Sequence, residues 1–276
     1  MVETAPVTDE LDRYMIEQFK QFHRHPELCD QEKWTTAKIA DELHQMAIPI
    51  LNFPIQSGLV AQIGPGNGPT IALRADIDAL PLQEETDLPY KSEISGAAHA
   101  CGHDFHIAAL LGAAKLLKER ESQLSGNVRL IFEPGEERHV GAREMIHAGI
   151  LKDVLAISGI HNMPTIPVGT VGMKIGKLMA SNDNFDVTIT GVGSHAAMPQ
   201  TGRDPIVAVA NTIMTLQTIV SRNISPSDRL VLTVGAISGG HVNNVIPESA
   251  GFKGTIRTFS EADRKLAKRR FYEIVN

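Results

Sequence analysis

Cysteine is scarce in this sequence, with only Cys29 and Cys101 among 276 residues. Two thiols cannot form the set of disulfides that stabilises small secreted domains. A reducing compartment would keep both residues as thiols. We therefore expect any role of these two residues to lie in chemistry or in packing.

Long apolar runs are also lacking. The longest apolar stretches, such as 107–114, are far shorter than the roughly 20 residues that a membrane-spanning helix requires. The first residues, 1–10, are acidic and polar, unlike the basic start and apolar core of a secretory signal. These absences predict a soluble, cytoplasmic protein with no membrane partner.

An excess of positive charge is the third absence. The chain has 26 Lys and Arg against 32 Asp and Glu, for a net charge of -6, and both signs are interspersed along it. A basic patch or tail is the electrostatic feature by which nucleic-acid-binding proteins are recognised. We therefore expect small molecules or proteins as partners and no nucleic acid.

Histidine, by contrast, is plentiful. Several of the eleven histidines lie in short clusters with Cys, Asp and Glu, side chains that bind divalent metals. The hydrophobic content of 42% is that of a globular chain with one large domain or two smaller ones. The clustering is the first indication of a metal site.

The hydrophobic pattern of the first region changes from helices to alternating strands and helices. One helix is predicted after the N-cap Thr8 and another over 31–46. Strands 59–63 and 70–75 are separated by a segment rich in Gly and Pro, typical of a hairpin or a tight loop. The next predicted elements are helix 105–119, strand 127–132, helix 141–148 and strand 154–160. This alternation predicts an α/β fold with a mixed, largely parallel sheet, in which ligands collect at the carboxyl ends of strands.

The second region has a different order of elements. From residue 178 onward we predict strand 184–190, helix 204–220, strands 229–236 and 251–259, and helix 261–275. This β-α-β-β-α order is typical of a split βαβ unit, which needs one more strand to close its sheet. The sequence therefore predicts two domains, 1–177 and 178–276, the second of them a ferredoxin-like α+β domain that is incomplete.

The tetrapeptide Cys101-Gly102-His103-Asp104 precedes the predicted helix 105–119. A thiolate and an imidazole two positions apart, with a carboxylate beside them, can bind zinc. The alternative is a buried free thiol followed by a helix-capping aspartate. For the flanking His99 and His106, an interpretation as surface residues is open.

Two later strand ends also present metal-binding side chains. Glu136 and Glu137 follow strand 127–132, and neighbouring carboxylates can divide the roles of metal ligand and proton acceptor. The alternative for them is a solvated turn. His161 follows strand 154–160, where a structural histidine is the alternative. Several strand ends that carry metal-binding side chains at one edge of a sheet favour one shared site over unrelated structural residues.

Other polar residues suggest supporting roles. Asp76 and Asp78 follow a strand and are candidates for orienting metal ligands, or are turn residues ahead of a proline. His195 lies in a predicted exposed loop, where donation to an oxyanion and a hydrogen bond across an interface are both open. Asn244 and Arg257 offer donors suited to a carboxylate, although an arginine on a strand is more often solvated.

Together, these ordered motifs resemble a family of co-catalytic metallopeptidases and amidohydrolases. This family includes aminoacylases, hippurate hydrolases, plant auxin-conjugate hydrolases and N-acetyl-diaminopimelate deacetylases. The matching segments are 25–28, 74–81, 99–106, 134–137, 161–164, 195–205, 244–247 and 254–257. The resemblance implies a phosphorylase/hydrolase-like metal domain and a ferredoxin-like satellite domain that forms a homodimer.

The resemblance also implies a metal-binding set. Cys101, His103, Glu137 and His161 would bind two divalent ions, with zinc expected first and manganese, cobalt or nickel as alternatives. The broader family has a His-x-Asp pattern where this chain has Asp76-Ile77-Asp78. This departure argues against Asp76 as a ligand and gives Asp78 the role of supporting one.

The implied reaction is hydrolysis of the amide bond of an N-acyl amino acid or short peptide by metal-activated water. Glu136 is implied as the general acid and base. His195, from the neighbouring subunit, is implied to stabilise the oxyanion. Asn244 and Arg257 are implied to hold the substrate carboxylate.

Relatives continue through a further segment that supplies one more histidine ligand, so the resemblance implies that both domains are incomplete at the C-terminus. Two hypotheses follow. The chain is either an active amidohydrolase or a truncated, noncatalytic homologue that keeps the fold and a partial metal site. A cysteine hydrolase using Cys101 is a third hypothesis, weakened because His103 at i+2 is poorly placed as its base.

Overall fold

The computed structural model describes residues 8–276, so residues 1–7 of the first predicted domain lie outside the described residues. The chain divides into two compact units, one running to Val168 and the other from Gly169 to Asn276. The predicted division after Lys177 falls within the second unit. Both positions lie in the irregular segment between two strands, where no regular element marks a boundary in the sequence.

The first unit contains helices packed on a five-stranded sheet. Its helices are α1 (Asp9–Arg24), α2 (Lys33–Gln45), α3 (His103–Glu119) and α4 (Gly141–His147). Its strands are β1 (Ile50–Leu51), β2 (Leu59–Ile63), β3 (Thr70–Asp76), β4 (Asn127–Glu133) and β5 (Val154–Gly159). The sheet has the order β1-β2-β4-β3-β5.

This sheet is mixed. Strand β3 pairs in parallel with β4 and with β5, whereas β2 pairs antiparallel with β1 and with β4. Because β4 separates β2 from β3, the hairpin predicted between residues 63 and 70 is wrong, and the tight-loop alternative describes this segment. The three parallel strands end at the same edge, with Asp76 opposite Glu133.

The core of the first unit lies between the sheet and the helices. Fully buried side chains from every layer meet there, including Phe22, Ile39, Leu43, Ile63, Ile107, Leu111, Leu130 and Phe132. Helices α1 and α3 approach closely at Gly112, where an added Cβ would lie 2.3 Å from the Sδ atom of Met15. The Thr8 side chain accepts a hydrogen bond from the backbone N–H of Leu11 and caps α1, as predicted.

The second unit has a three-stranded antiparallel sheet of order β6-β10-β8. Its elements are β6 (Ser181–Thr190), β7 (Ser194–His195), α5 (Pro205–Thr218), β8 (Leu230–Gly239), β9 (Val245–Ile246), β10 (Ser249–Thr258) and α6 (Glu261–Val275). Alternate residues of β10, such as Ala250, Phe252 and Ile256, are buried against both helices. The period of two explains why this strand is readable in the sequence.

The predicted helices and strands agree with the structure to within a few residues. The difference that matters most for the candidate site is the start of α3, which lies at His103 rather than at Phe105. The last two residues of the tetrapeptide 101–104 therefore belong to the helix. Within residues 8–276, no helix combines the length and apolarity needed to cross a membrane.

Candidate metal centre

The site lies at the carboxyl edge of the parallel strands in the first unit. Asp78 follows β3, Glu136 and Glu137 follow β4, and His161 follows β5. The first turn of α3 brings His103 to the same place, where it forms candidate metal-binding groups with residues from all three strand ends. This arrangement is expected where parallel strands meet at one edge.

His103 is fully buried, and one of its ring nitrogens is fixed by the backbone. Its Nδ1 donates to the carbonyl oxygen of Asp78 at 2.7 Å, so Nε2 is the ring nitrogen that faces the cluster. Nε2 has no hydrogen-bond partner and lies 3.6 Å from Oδ2 of Asp76, 3.8 Å from Oε1 of Glu137 and 3.9 Å from Oε2 of Glu136. An unpaired buried imidazole nitrogen facing three carboxylates is the arrangement of a metal ligand.

His161 repeats this arrangement at the surface of the site. Its Nδ1 donates to the carbonyl oxygen of Asn162 at 2.7 Å, and its Nε2 lies 3.6 Å from Sγ of Cys101. Cys101, His103 and His161 each offer a ligand atom within 4.8 Å of the others. Nε2 of His161 therefore faces the thiol, whereas Nε2 of His103 faces the carboxylates.

The turn that carries the two glutamates is held by buried carboxylates. Oδ2 of Asp78 accepts the backbone N–H of Glu137 at 3.0 Å, and Oε1 of Glu32 accepts that of Gly135 at 2.8 Å. Gly135 has φ of 60° and begins the short 3₁₀ turn Glu136–Arg138. The solvated-turn alternative does not describe this segment, because both glutamates are half-buried.

These donors fit a divalent cation. Buried atoms of the cluster lack hydrogen-bond partners, namely Nε2 of His103, Oε1 of Glu137 and Oδ1 of Asp78. Orphaned buried polar atoms are costly unless a ligand satisfies them. The mixture of thiol, imidazole and carboxylate is the donor set that zinc and related transition metals prefer.

Electrostatics separates the roles of the acidic groups. Burial and the negative charge of Glu137 raise the pKa of the Cys101 thiol to about 12. Burial and the negative charge of Asp76 raise the pKa of Glu136, although the nearby His103 opposes this shift. A nearby cation would favour the thiolate, and a carboxylate with a raised pKa is suited to accepting a proton.

Three residues of this centre were missed or misread in the sequence. His99 and His106 are both buried, so their interpretation as surface residues is wrong. Asp76 is the last residue of β3, is buried, and accepts hydrogen bonds from His106 and Arg74, so it is not a turn residue. His103 and His106 are three residues apart, a spacing that places both on one face of α3. This spacing could have predicted that His106 is buried beside His103.

The second unit contains the other predicted residues. His195 ends β7 and pairs with Val245 of β9, and the N–H of Ala196 donates to the carbonyl oxygen of Asn244 at 3.0 Å. His195 and Asn244 therefore lie in adjacent exposed segments. Arg257 is exposed and pairs with Asn182 at the other end of the sheet, roughly 27 Å along β10 from Ser249 at about 3.4 Å per residue.

Comparison with known proteins assigns a family to this chain. The model described as "Peptidase family M20/M25/M40" matches residues 72–249, which include the whole candidate centre. The chain belongs to this peptidase family. The resemblance inferred from the sequence motifs is confirmed by this match.

Several known proteins are similar over nearly the whole chain. The N-acetyl-L-cysteine deacetylase of Bacillus subtilis is 48% identical over 274 residues, covering 99% of this chain and 66% of the relative. An IAA-amino acid hydrolase of Arabidopsis thaliana is 40% identical over 262 residues, covering 95% of this chain and 60% of the relative. The chain thus spans about two thirds or less of the length of these relatives.

A solved member of the peptidase family has the same fold. The crystal structure of a dinuclear metal-binding peptidase from Bacillus subtilis superposes with a TM-score of 0.82 at 41% sequence identity, covering 97% of this chain and 70% of that one. The name of that protein states that it binds two metal ions. The prediction of a mixed α/β fold is confirmed by this likeness.

Proposed function

We propose that the protein hydrolyses the amide bond of N-acyl amino acids with the help of divalent metal ions. The observation that carries this proposal is the convergence of the unpaired Nε2 of His103 and the Nε2 of His161 with Cys101 and Glu137. The carboxylate of Glu136 lies beside them. Relatives named as an N-acetyl-L-cysteine deacetylase and an IAA-amino acid hydrolase support the substrate class.

Cys101, His103, Glu137 and His161 would hold the metal, and two ions, zinc first among them, are the proposed occupancy. When bound, such ions lower the pKa of water toward ~7 and polarise a carbonyl group. The backbone carbonyl of Asp78 orients the His103 ring through the hydrogen bond from Nδ1, so that Nε2 is the nitrogen presented to the metal. The side chain of Asp78 has a second role. Its carboxylate also fixes the backbone of Glu137.

Glu136 is the proposed general base. Its Oε2 lies 3.9 Å from Nε2 of His103, at the edge of the ligand cluster, and its side chain is only partly buried. A carboxylate with a raised pKa can take a proton from the attacking water and give it to the departing amine nitrogen. Glu136 therefore moves one proton in each half of the proposed reaction.

The second unit is proposed as a ferredoxin-like satellite domain through which two chains form a dimer. Nδ1 of His195 accepts the N–H of Ala197 at 3.1 Å, so the ring proton lies on Nε2, where it can be donated. This tautomer suits donation to an oxyanion in the active site of the neighbouring subunit. Asn244 and Arg257 lie toward different ends of the unit, so they cannot both reach one carboxylate from the same chain. We propose that the substrate carboxylate is bound by Asn244 of one subunit and Arg257 of the other.

A cysteine hydrolase is a weaker candidate. The imidazole nearest Cys101 is that of His161, at 3.6 Å, so a base for the thiol is available. Nucleophilic cysteines have lowered pKa values, however, whereas burial and Glu137 raise the pKa of Cys101. Hydrolysis that is inhibited by a thiol reagent but is unaffected by a chelator would favour the cysteine hydrolase over the metal-dependent enzyme.

The proposed function is tested by measuring metal content and turnover on the same sample. We expect two divalent ions per chain by elemental analysis and hydrolysis of N-acetyl or N-benzoyl amino acids that a chelator abolishes. Metal binding without turnover of any N-acyl amino acid would contradict the proposal and would support a noncatalytic homologue that keeps the centre. Failure to bind metal would contradict both.

A further inference from the structure

His106 is a buried histidine that the proposed reaction does not use. It lies on α3, three residues after His103, and its side chain is 1% exposed. The two rings stack with their centroids 5.6 Å apart. Its position beside the ligands raises the question of whether it binds metal itself.

The hydrogen bonds of His106 exclude this role. The backbone N–H of Asn162 donates to its Nε2 at 2.9 Å, so that nitrogen carries no proton. Its Nδ1 then holds the proton and donates to Oδ1 of Asp76 at 2.6 Å. Both ring nitrogens are engaged, in contrast to the unpaired Nε2 of His103.

Asp76 anchors His106 to the sheet. Its second oxygen, Oδ2, accepts from Nη1 of Arg74 at 2.6 Å, and Nε of Arg74 donates to Oε2 of Glu133 at 2.7 Å. Burial opposes ionisation of Asp76, but the hydrogen bond from His106 and the charges of His103 and Arg74 outweigh it and lower the Asp76 pKa. The ring is thus fixed to the paired ends of β3 and β4.

The other side of His106 holds the segment that carries His161. This segment follows β5 and has no regular secondary structure. Besides the backbone bond to Asn162, the rings of His106 and His161 meet edge to face at 4.6 Å. Oδ1 of Asn162 lies 3.0 Å from Nε2 of His106, and because this nitrogen is an acceptor, a hydrogen bond there requires the amide to present Nδ2 in place of Oδ1. Asn162 is also seated against Gly102, where an added Cβ would lie 2.3 Å from its Nδ2.

We propose that His106 is a positioning residue that sets the place of the ligand His161 through the backbone of Asn162. Its neutral ring links an anchored carboxylate in the sheet to an otherwise irregular segment. Loss of this link would leave the ligand on a segment that is free to move away from Cys101. The inference rests on the metal centre of the proposed function, but it concerns metal affinity and does not require turnover.

The test is a cobalt titration of the metal-free 276-residue protein. The absorption of a thiolate-to-cobalt charge transfer reports whether Cys101 and its neighbours bind the ion, independently of activity. We expect His106→Leu to weaken cobalt binding by about 10- to 100-fold, as is typical when the support of a metal ligand is removed. His106→Gln can accept from Asn162 and donate to Asp76, so it should restore most of the affinity.

Leu111→Ala is the matched control, because it alters a fully buried residue of the same helix in the core. It should lower stability while leaving cobalt affinity unchanged in the folded protein. A second readout needs no metal. The Nδ1 proton of His106 should give a protected, downfield imidazole resonance in proton NMR that is absent in His106→Leu and unaffected in Leu111→Ala.

The outcomes separate the inference from the proposed function. Cobalt affinity of His106→Leu equal to that of the wild type would overturn the inference while the metal centre stands, and so would the absence of the protected resonance. If the wild type gives no thiolate charge-transfer band, the metal centre and the inference both fail. If the wild type binds cobalt and His106→Leu binds it weakly, but no N-acyl amino acid is hydrolysed, only the proposed reaction fails.

Discussion

Oδ2 of Asp78 accepts the backbone N–H of Glu137 at 3.0 Å, joining the end of β3 to the turn after β4. The backbone carbonyl of Asp78 also accepts from His103, so one residue orders two proposed ligands. This double role makes Asp78 a sensitive point of the centre.

Replacing Asp78 with alanine should weaken metal binding by about 10- to 100-fold, because the N–H of Glu137 loses its acceptor. The measurement is zinc affinity by competition with a chelating dye. Asp87→Asn, an exposed change in the same unit, is the control and should bind zinc as the wild type does. Equal affinities for the two variants would remove Asp78 from the support of the ligands.

Glu136→Gln should lower kcat by roughly 10² to 10⁴ while keeping the metal, because the amide has the shape of the carboxylate but cannot accept the proton. Glu137→Gln should lose metal as well as activity. Steady-state hydrolysis and elemental analysis of the same preparations distinguish these outcomes. The assignment of roles to the two glutamates is wrong if both variants retain full metal and activity.

His195→Ala should reduce kcat by about 10² to 10³ without changing metal content, since it removes one donor to the oxyanion. The effect can be measured on an N-acyl amino acid and on the metal-loaded sample. The proposed dimer adds a sharper measurement. Mixing His195→Ala with Glu136→Gln should recover activity in the mixed dimer, whereas recovery would not occur if each chain used its own His195.

His23 should make stability depend on pH. Its Nδ1 lies 2.6 Å from Oδ2 of Asp104 and its Nε2 lies 3.2 Å from Oε1 of Glu84, so only the doubly protonated ring donates to both. The bond to Asp104 raises the His23 pKa above its usual 6.5, although burial opposes this shift. The folded state therefore holds the proton more tightly than the unfolded state.

The resulting stability is fully present below about pH 6.5 and is lost as pH rises through the higher pKa of the folded state. Urea unfolding of metal-free protein across this window should show a decline in the free energy of unfolding, and the decline should be smaller in His23→Gln. The exposed His44→Gln is the control and should keep the wild-type profile. A wild-type profile that rises over the same window has the wrong sign for this account.

Gly102→Ala should destabilise the protein more than Gly96→Ala does. Both glycines have positive φ, 82° and 77°, so each substitution costs about 1 to 2 kcal/mol of backbone strain. An added Cβ meets the Asn162 side chain only at Gly102, and meets nothing within 4 Å at Gly96. The difference between the two variants in the free energy of unfolding, measured with urea, reports the contact with Asn162. Equal losses of stability would show that the Asn162 side chain moves aside without an energetic penalty.

The sequence was sufficient for the longer elements and for the convergence of strand ends. It did not predict the two-residue strands β1, β7 and β9, so the loop predicted at His195 is wrong, because His195 lies in β7. Alternation of apolar residues marks β10, and the N-cap Thr8 marks the start of α1, since both signals are local. The order of strands was not readable in the same way. Whether β2 pairs with β3 or with β4 depends on contacts between residues distant in sequence, and the Gly- and Pro-rich segment suits either topology.

The metal-binding types of the centre were also readable, because Cys101, His103 and the paired glutamates stand in short motifs. The roles of Asp76 and His106 were not. Neither residue stands in a local pattern that predicts its role. The role depends on the 2.6 Å hydrogen bond between the two side chains, which forms only in the folded unit. Burial, which decided against a surface position for His99 and His106, is likewise a property of the assembled unit.

The start of helix α3 and the ends of strands β4 and β5 bring the proposed ligands together from segments that lie far apart along the chain. An unfolded chain has no such grouping, so a cation that binds here would bind the native state almost exclusively. Mass action then ties the folding equilibrium to the free cation concentration, by about 2.7 kcal/mol at a hundred times Kd. Scarcity of the ion would thus lower the folded fraction of the protein as well as the rate of the proposed hydrolysis.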